Sequence, residues 1–327
     1  MKRLSPLQNE VINRHFKRAG RRSKVRVPQS HNSTSVYDEK TGRLWVHTNN
    51  ARKSGIQELN FESRNSICTT LVGSHELKFW DERRYATPRE LARIQGFPDN
   101  FKLPTTRAHH LFSNAVAVPC AAYACSRVAK GAKTFVDLCA GIGGFHLAAT
   151  QAEPKLKCVG MSEIKPAAIA CYRLNFPGTP ELGDMAHVDR WPQCDILTAG
   201  FPCQPFSQCN NRQRRDSHRD RDAFELVLHA IQATGAKRIV LENVRSLLTL
   251  GKSRFEQLLA QLKQLRFKLD YTVLDAQDFG LPQQRKRLYI VGRRDGVPPL
   301  PFDHTPLPRV TLGSVMETTG RRKSRTR

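Results

Sequence analysis

Gly200-Phe201-Pro202-Cys203-Gln204-Pro205-Phe206-Ser207 places one cysteine directly after a proline, at the end of the apolar run Asp195-Ile196-Leu197-Thr198-Ala199. A short apolar run of this kind reads as a buried strand. The Pro-Cys step fixes the backbone just beyond it, at the carboxyl end of a strand, where open α/β sheets gather their ligands. A thiolate there can act as a nucleophile and form a covalent intermediate. Glu242-Asn243-Val244 follows the strand-like Arg238-Ile239-Val240-Leu241, which brings a carboxyl group to the same sheet edge. Gln283-Gln284-Arg285-Lys286-Arg287 adds two arginines before another apolar run. Taken singly, a Pro-Cys pair, a Glu and two arginines serve structure more often than chemistry; their order along the chain changes the balance.

A second constellation points to a cofactor. Asp137-Leu138-Cys139-Ala140-Gly141-Ile142-Gly143-Gly144 follows a strand-like run and precedes a helical pattern. Glycines let backbone approach a ligand closely. A dinucleotide fingerprint needs a third glycine three residues after the second; His146 stands there, so NAD fits poorly. Glu163 ends the next strand-like run, where an acid would take a ribose hydroxyl pair, and Asp184 after Gly183 is placed to read an adenine amino group. Each carboxylate alone reads as a surface group, but the ordered set favours an adenosyl ligand.

The elements that must hold these residues follow from periodicity. Apolar runs at 134–139, 157–161, 195–199 and 238–241 alternate with helical patterns from 145, around 167–172, at 223–233 and at 255–265. This is the βαβ signature of a parallel sheet covered on both faces. The run 287–291 reads as a closing antiparallel strand after 271–274. Residues 1–86 are basic and polar, with turn signals at Lys40-Thr41-Gly42-Arg43 and Lys53-Ser54-Gly55, and read as an irregular, partly β module. At 327 residues and 39% hydrophobic, the chain can build one large domain and a smaller one. Its formal net charge of +24 favours a polyanionic partner, most simply nucleic acid. Nine cysteines without metal spacing, a start lacking a signal sequence and the lack of any membrane-length apolar run predict a reduced cytoplasmic protein with no membrane contact, nucleoid-associated in a bacterium, and no metal site.

Together these pieces resemble the DNA cytosine carbon-5 methyltransferase family. The segment 135–145 is similar to its S-adenosylmethionine loop, 200–207 to its Pro-Cys motif, 242–244 to its Glu-Asn-Val motif and 283–287 to its Gln-x-Arg-x-Arg motif. Arg89-Glu90-Leu91-Ala92-Arg93-Ile94-Gln95-Gly96-Phe97-Pro98-Asp99 resembles the hinge motif, and Ser113-Asn114-Ala115-Val116-Ala117-Val118-Pro119 the motif that usually ends the chain. Here the last two precede the cofactor loop, so the chain reads as circularly permuted, with the usual termini joined through residues 122–133.

The resemblance implies an α/β fold: an S-adenosylmethionine-dependent, Rossmann-like mixed sheet with a smaller target-recognition domain. Residues 1–86 would form the latter, continued by 301–327, with a hinge at 87–111 and the catalytic domain at 112–300. It implies that Cys203 adds to cytosine carbon-6, that Glu242 holds or protonates the neighbouring ring nitrogen, that Arg285 contacts the base and that Arg287 buttresses the site. Cys139, Ala140, Gly141, Gly143, Gly144, Glu163, Ile164, Asp184, Met185, Pro202, Asn114, Ala115 and Val116 would hold S-adenosylmethionine. Three positions depart from the family pattern: Cys139 for phenylalanine, which would weaken cofactor affinity, Ser113 for glycine, and Asp222 for glycine.

The target atom lies inside a stacked duplex, so the base must be flipped out. Gln204, Ser207, Arg212, Arg214, Arg215 and Arg221 would close on double-stranded DNA, and Arg43, Arg52 and Lys53 are candidates for reading base edges. A monomer is expected. Two other readings stay open: methylation of RNA, and a DNA-binding relative without catalysis.

Overall fold

The computed structural model describes residues 2–3, 9, 12–13, 25–27, 33–38, 43–49, 56–73, 76–201 and 223–317. Among the sequence candidates, Pro202, Cys203, Gln204, Ser207, Arg212, Arg214, Arg215, Arg221, Arg52 and Lys53 lie outside the described residues, as does Asp222.

Two sheets organise the chain. The first has six strands in sequential order: β1 (Val25–Val27), β2 (Ser33–Asp38), β3 (Arg43–Asn49), β4 (Ile56–Glu62), β5 (Lys78–Phe79) and β6 (Arg84–Tyr85). All neighbours are antiparallel except β4 and β5. The second comprises β7 (Thr134–Leu138), β8 (Lys157–Ser162), β9 (Glu181–Gly183), β10 (Ile196–Gly200), β11 (Arg238–Val244), β12 (Lys268–Asp275) and β13 (Lys286–Arg293). Its spatial order is β12-β13-β11-β10-β7-β8-β9, parallel from β11 to β9, with β13 antiparallel to both β11 and β12. The expected βαβ alternation and the closing antiparallel strand are therefore both present.

Alternate residues of the second sheet feed two interiors, as the period of two along a strand requires. Val136, Leu138, Leu197, Ala199, Ile239, Leu241, Leu288 and Ile290 pack under α6 (Ala223–Ala233) and α7 (Lys252–Gln264). Phe135, Ile196, Val240, Tyr289 and Val291 face α3 (Val118–Ala129) and α4 (Gly144–Ala152). This second interior also takes in Cys68, Leu71, Leu77 and Phe79, the helices α1 (Pro88–Ile94) and α2 (Ala108–Asn114), and Leu312 and Met316. It thus runs without a break across the boundaries expected at 86, 111 and 300.

Residues 122–129 complete α3, and a short turn at 130–133 leads into β7. The expected joint is thus mostly helix. α1 starts with a capping box, in which Thr87 and Glu90 exchange side-chain and backbone hydrogen bonds, and with Pro88 in the first turn. Among the described residues no helix is long and apolar enough to cross a membrane, and the seven described cysteines are free thiols.

Candidate active site

Strand order arrays the sequence candidates along one edge. At the carboxyl ends of β9, β8, β7, β10 and β11 stand Asp184, Glu163, Cys139, Gly200 and Glu242, and β13 enters the same edge at Lys286. A parallel strand ends with its last peptide groups unpaired, so loops here are free to serve a ligand.

The cofactor-like end is built by β7, β8 and β9. The Ala140 amide donates to Ser162 O (3.0 Å), which lays the glycine loop over the end of β8. Ser162 Oγ donates to Gly183 O (2.7 Å) and ties in the end of β9. Glu163 Oε1 accepts from the amides of Ile164 (2.8 Å) and Lys165 (2.9 Å), while Oε2 accepts from Gly141 (2.8 Å). A carboxylate has about four acceptor positions, so Oε2 keeps room for a ligand hydroxyl. Ile164 beside it is 65% exposed, an apolar face suited to a flat heterocycle. Asp184 caps a 3-10 turn through the Ala186 amide (2.9 Å) and is exposed, and Met185 follows it half-buried. These features fit an adenosyl group.

The loop has its own support. Cys139 and Gly143 both have left-handed backbone, at φ 51° and 90°. Behind Gly143 lies Phe176, stacked on His146 at 3.9 Å between ring centres, and His146 Nδ1 lies 2.7 Å from Tyr172 Oη. Burial pushes His146 down to about 4, so the ring is neutral at physiological pH. A Cβ on Gly143 would lie 2.2 Å from Phe176 Cε2. Gly143→Ala is therefore expected to displace the loop and weaken S-adenosylmethionine binding by roughly tenfold or more, about 1.4 kcal/mol, which titration calorimetry would measure. Cys139 is held protonated, its thiol pushed up to about 12 by burial and by Glu163.

Beneath the loop, Asp137 is fully buried and accepts from Thr198 Oγ1 (2.8 Å). Burial pushes its carboxyl up to about 7 from 3.8. The folded state therefore binds this proton more tightly than the unfolded chain, and stability falls as pH rises from about 4 to about 7. The slope is about 1.4 kcal/mol per pH unit. Asp137→Asn is expected to flatten the unfolding midpoint over that window, read from denaturant titrations at pH 4.5, 5.5 and 6.5.

The other end of the edge carries the acid and the arginines. β10 and β11 are parallel with Gly200 beside Glu242, and a Cβ on Gly200 would sit 3.6 Å from Glu242 Oε2. Phe201, two residues before Cys203, is buried, and its carbonyl accepts from Asn243 Nδ2 at 3.2 Å. The carboxyl of Glu242 and the chain leading to Cys203 are thus held together by adjacent strands. Burial pushes Glu242 above the usual carboxylate range, against the pull of Arg287 and Arg285.

The two arginines have different surroundings. Arg287 Nε lies 3.3 Å from Glu242 Oε1. Arg285 is buried, with Nη2 donating to Ala115 O (2.8 Å) and Nη1 to Leu71 O (3.5 Å). Arg287 is therefore the one beside the acid, and Arg285 ties backbone together. Arg43 is a clear correction: it is 5% exposed, with Nε 3.0 Å from Glu62 Oε1 and its guanidinium also donating to Ile67 O. A guanidinium buried against an internal carboxylate is out of reach of a base edge.

Asn114, Ala115 and Val116 follow directly from α2. Asn114 Nδ2 donates to His110 O (2.7 Å), and Val116 Cγ2 would lie 2.8 Å from a Cβ on Gly144. Ser113 is accommodated in place of glycine by donating to His110 O (2.9 Å).

Two buried glutamines that the sequence did not single out join the motifs around the site. Gln95 Nε2 donates to Phe112 O (2.6 Å) and Ala115 O (3.1 Å), and Gln283 Nε2 donates to Gln95 Oε1 (2.8 Å) while its Oε1 accepts from the Leu71 amide (3.0 Å). This buried amide chain links motifs far apart in sequence. Its signal was a glutamine inside each of two recognisable strings, with nothing to show that they meet.

The family model for C-5 cytosine-specific DNA methylase matches residues 5–130 and 133–322. The chain belongs to the C-5 cytosine-specific DNA methylase family. Among curated family relatives, it is 40% identical over 163 residues to the Type II methyltransferase M.BanI of Aneurinibacillus aneurinilyticus, covering 48% of this chain and 38% of the relative. It is 36% identical over 198 residues to the Type II methyltransferase M.NlaIV of Neisseria lactamica, covering 56% and 46%. The chain spans less than half the length of these two relatives. A crystal structure of S. pombe Dnmt2 methyltransferase superposes with a TM-score of 0.43 at 24% identity, covering 52% of this chain and 53% of that one. The fold on which the family motifs sit is the mixed, Rossmann-like methyltransferase sheet described above.

Proposed function

We propose that this protein transfers a methyl group from S-adenosylmethionine to carbon-5 of cytosine in double-stranded DNA, through a covalent adduct of Cys203 with a flipped base. The observation that carries the proposal is the adjacency of Gly200 and Glu242 on parallel strands, with Arg287 beside the acid. Bound at the Glu163 end of the edge, S-adenosylmethionine supplies a methyl group on an electrophilic sulfonium. Cys203 attacks ring carbon-6, and Glu242 donates a proton or hydrogen bond to the neighbouring ring nitrogen, which takes up the electron density; carbon-5 then takes the methyl group, loses its proton to a base, and the Cys203 thiolate leaves carbon-6. A carboxyl kept above its usual range by burial is suited to that donation at neutral pH. Arg287 buttresses the acid at 3.3 Å, and Arg285 supports the base site by positioning the backbone of Ala115 and Leu71.

The cofactor residues are Cys139 to Gly144, Glu163, Ile164, Asp184 and Met185, with Pro202 and residues 114–116 closing the site. Gln204, Ser207 and the arginines 212, 214, 215 and 221 are assigned to DNA by their place in and after the Pro-Cys motif. The six-stranded sheet serves recognition, joined by residues 312–317, whose amides at Leu312 and Gly313 bond to carbonyls of Ser66 and Arg64. We further propose that the chain is a circular permutation of the usual family order. The two-part family match supports this, because it breaks at residues 131 and 132 in the turn between α3 and β7.

The test is transfer of labelled methyl from S-adenosylmethionine to mixed-sequence duplex DNA by wild type and by Cys203→Ala, with base-resolution mapping. Label at cytosine carbon-5 that vanishes in the variant is expected. Undiminished transfer by Cys203→Ala, or label confined to RNA, would overturn the proposal.

A further inference from the structure

The edge of the large sheet opposite the candidate active site carries a stripe of cations. β7, β8, β11 and β12 all start at this edge and β13 ends there. Lys268 opens β12, Lys237 immediately precedes β11, Lys133 precedes β7 and Lys157 opens β8; all four are exposed. Backbone hydrogen bonds fix them side by side: the Lys157 amide donates to Lys133 O (2.9 Å), the Lys237 amide to Asp195 O (3.1 Å) and the Arg294 amide to Lys237 O (2.9 Å). Lys130, also exposed, is drawn in by its carbonyl, which accepts from Arg238 Nη1 at 2.9 Å.

The acids of this edge are mostly occupied. Asp195 Oδ2 accepts from the amides of Lys133 (2.7 Å) and Thr134 (3.1 Å). Asp295 is shared by Arg238 (2.9 Å) and Arg293 (2.8 Å), which leaves half-buried Glu153. Among the described residues, none of Lys130, Lys133, Lys157 and Lys237 forms a salt bridge.

We infer that this stripe is a second binding surface for duplex DNA, separate from the cleft that takes the target base. Five inter-strand steps separate Lys268 from Lys157, roughly 24 Å at about 4.8 Å per step. One DNA strand presents about seven phosphates over that length. Phosphate contact needs only point cations along a line, which exposed lysines supply. Phe267, next to Lys268, is buried, and the exposed ring of these segments, Tyr271, is packed edge-on against Phe255 at 5.0 Å between ring centres, so the stripe offers cations and no run of open rings on which single-stranded bases would stack. Lys237 and Glu242 lie five residues apart on one strand, roughly 16 Å, and face opposite ways along it. A duplex engaged at the catalytic edge cannot reach the stripe, so a second segment would be held. The choice of DNA over another polyanion rests on the reading of DNA as substrate.

The experiment compares wild type with Lys133→Gln/Lys157→Gln/Lys237→Gln and with the triple Lys→Arg variant. Sedimentation with a 20-bp mixed-sequence duplex gives stoichiometry, and binding to a long duplex is measured against salt. Wild type and the arginine variant are expected to take two short duplexes and the glutamine variant one. For the glutamine variant, the slope of log affinity against log salt falls by roughly 2.7, which is 0.9 for each of three contacts. Methyl transfer to the short duplex stays within twofold. Unchanged stoichiometry and slope, or a loss seen with duplex RNA but not with DNA, would overturn the inference. Failure of wild type to methylate DNA would instead overturn the functional reading, and the binding comparison would still report on the stripe.

Discussion

Glu242→Gln is expected to slow methyl transfer by roughly 10²–10⁴-fold, the span typical of losing a positioned acid, while S-adenosylmethionine affinity stays within about threefold. The amide keeps the shape of the carboxyl and can still accept from Arg287, so packing at the end of β11 is preserved. What is lost is a group able to give up a proton as the base takes up charge. The cofactor end of the edge, three strands away at Glu163, is untouched. Arg287→Ala should lower the rate as well and also shift the pH profile, because removing a cation 3.3 Å from Glu242 lets burial push that carboxyl further up. Single-turnover rates from pH 6 to 9, with cofactor binding measured separately, would check both. An unchanged rate in Glu242→Gln would remove this residue from the mechanism.

The second large effect is on stability. Glu90→Ala is expected to cost about 3–5 kcal/mol, the range for stranding the partner of a buried ion pair. Arg84 and Glu90 are both fully buried, and the guanidinium meets the carboxylate at both oxygens, 2.7 Å each. The same carboxylate accepts from the amides of Thr87 (2.8 Å) and Glu317 (2.9 Å). One side chain thus joins β6, the start of α1 and the last described turn of the chain. Removing it leaves the buried guanidinium with only its longer contacts to Glu82 Oε2 and Tyr85 O, 3.2 Å each, and two part-buried amides without this acceptor, whereas Arg84→Met/Glu90→Leu removes both charges and is expected to recover most of the loss. Chemical denaturation of the three variants would measure it. Equal destabilisation by the single and double replacements would show that the pair's charge is not what matters.

How much of this was legible in the sequence depends on the range of the forces involved. The strands β7, β8, β10 and β11, the helix Ala223–Ala233 and the glycine loop follow from local hydrophobic periodicity and turn chemistry, which act within a few residues. The bounds of α6 were readable to the residue because its apolar face repeats at helical spacing. The types and order of the candidate residues Glu242, Glu163 and Asp184 were legible for the same reason, since each stands at or just beyond a strand end.

Pairing across the chain was not legible. Arg43 in a turn-rich basic segment looks identical to a nucleic-acid contact until Glu62 is seen beside it. Arg285 and Arg287 are two residues apart in one motif, where a strand's period of two would place both on one face, although Arg285 stands just before β13. Only the register with β11 sets Arg287 beside Glu242, and only the approach of Leu71 and Ala115 buries Arg285. The sequence by itself determined the order of the candidate residues, the parallel strands and the basic character of the chain. Tertiary structure decided which cation serves the acid, which cations stay inside, and that residues 68–79, 87–116 and 312–316 share one interior with the sheet. Burial and ion pairing depend on contacts between segments distant in sequence, and no local pattern encodes them.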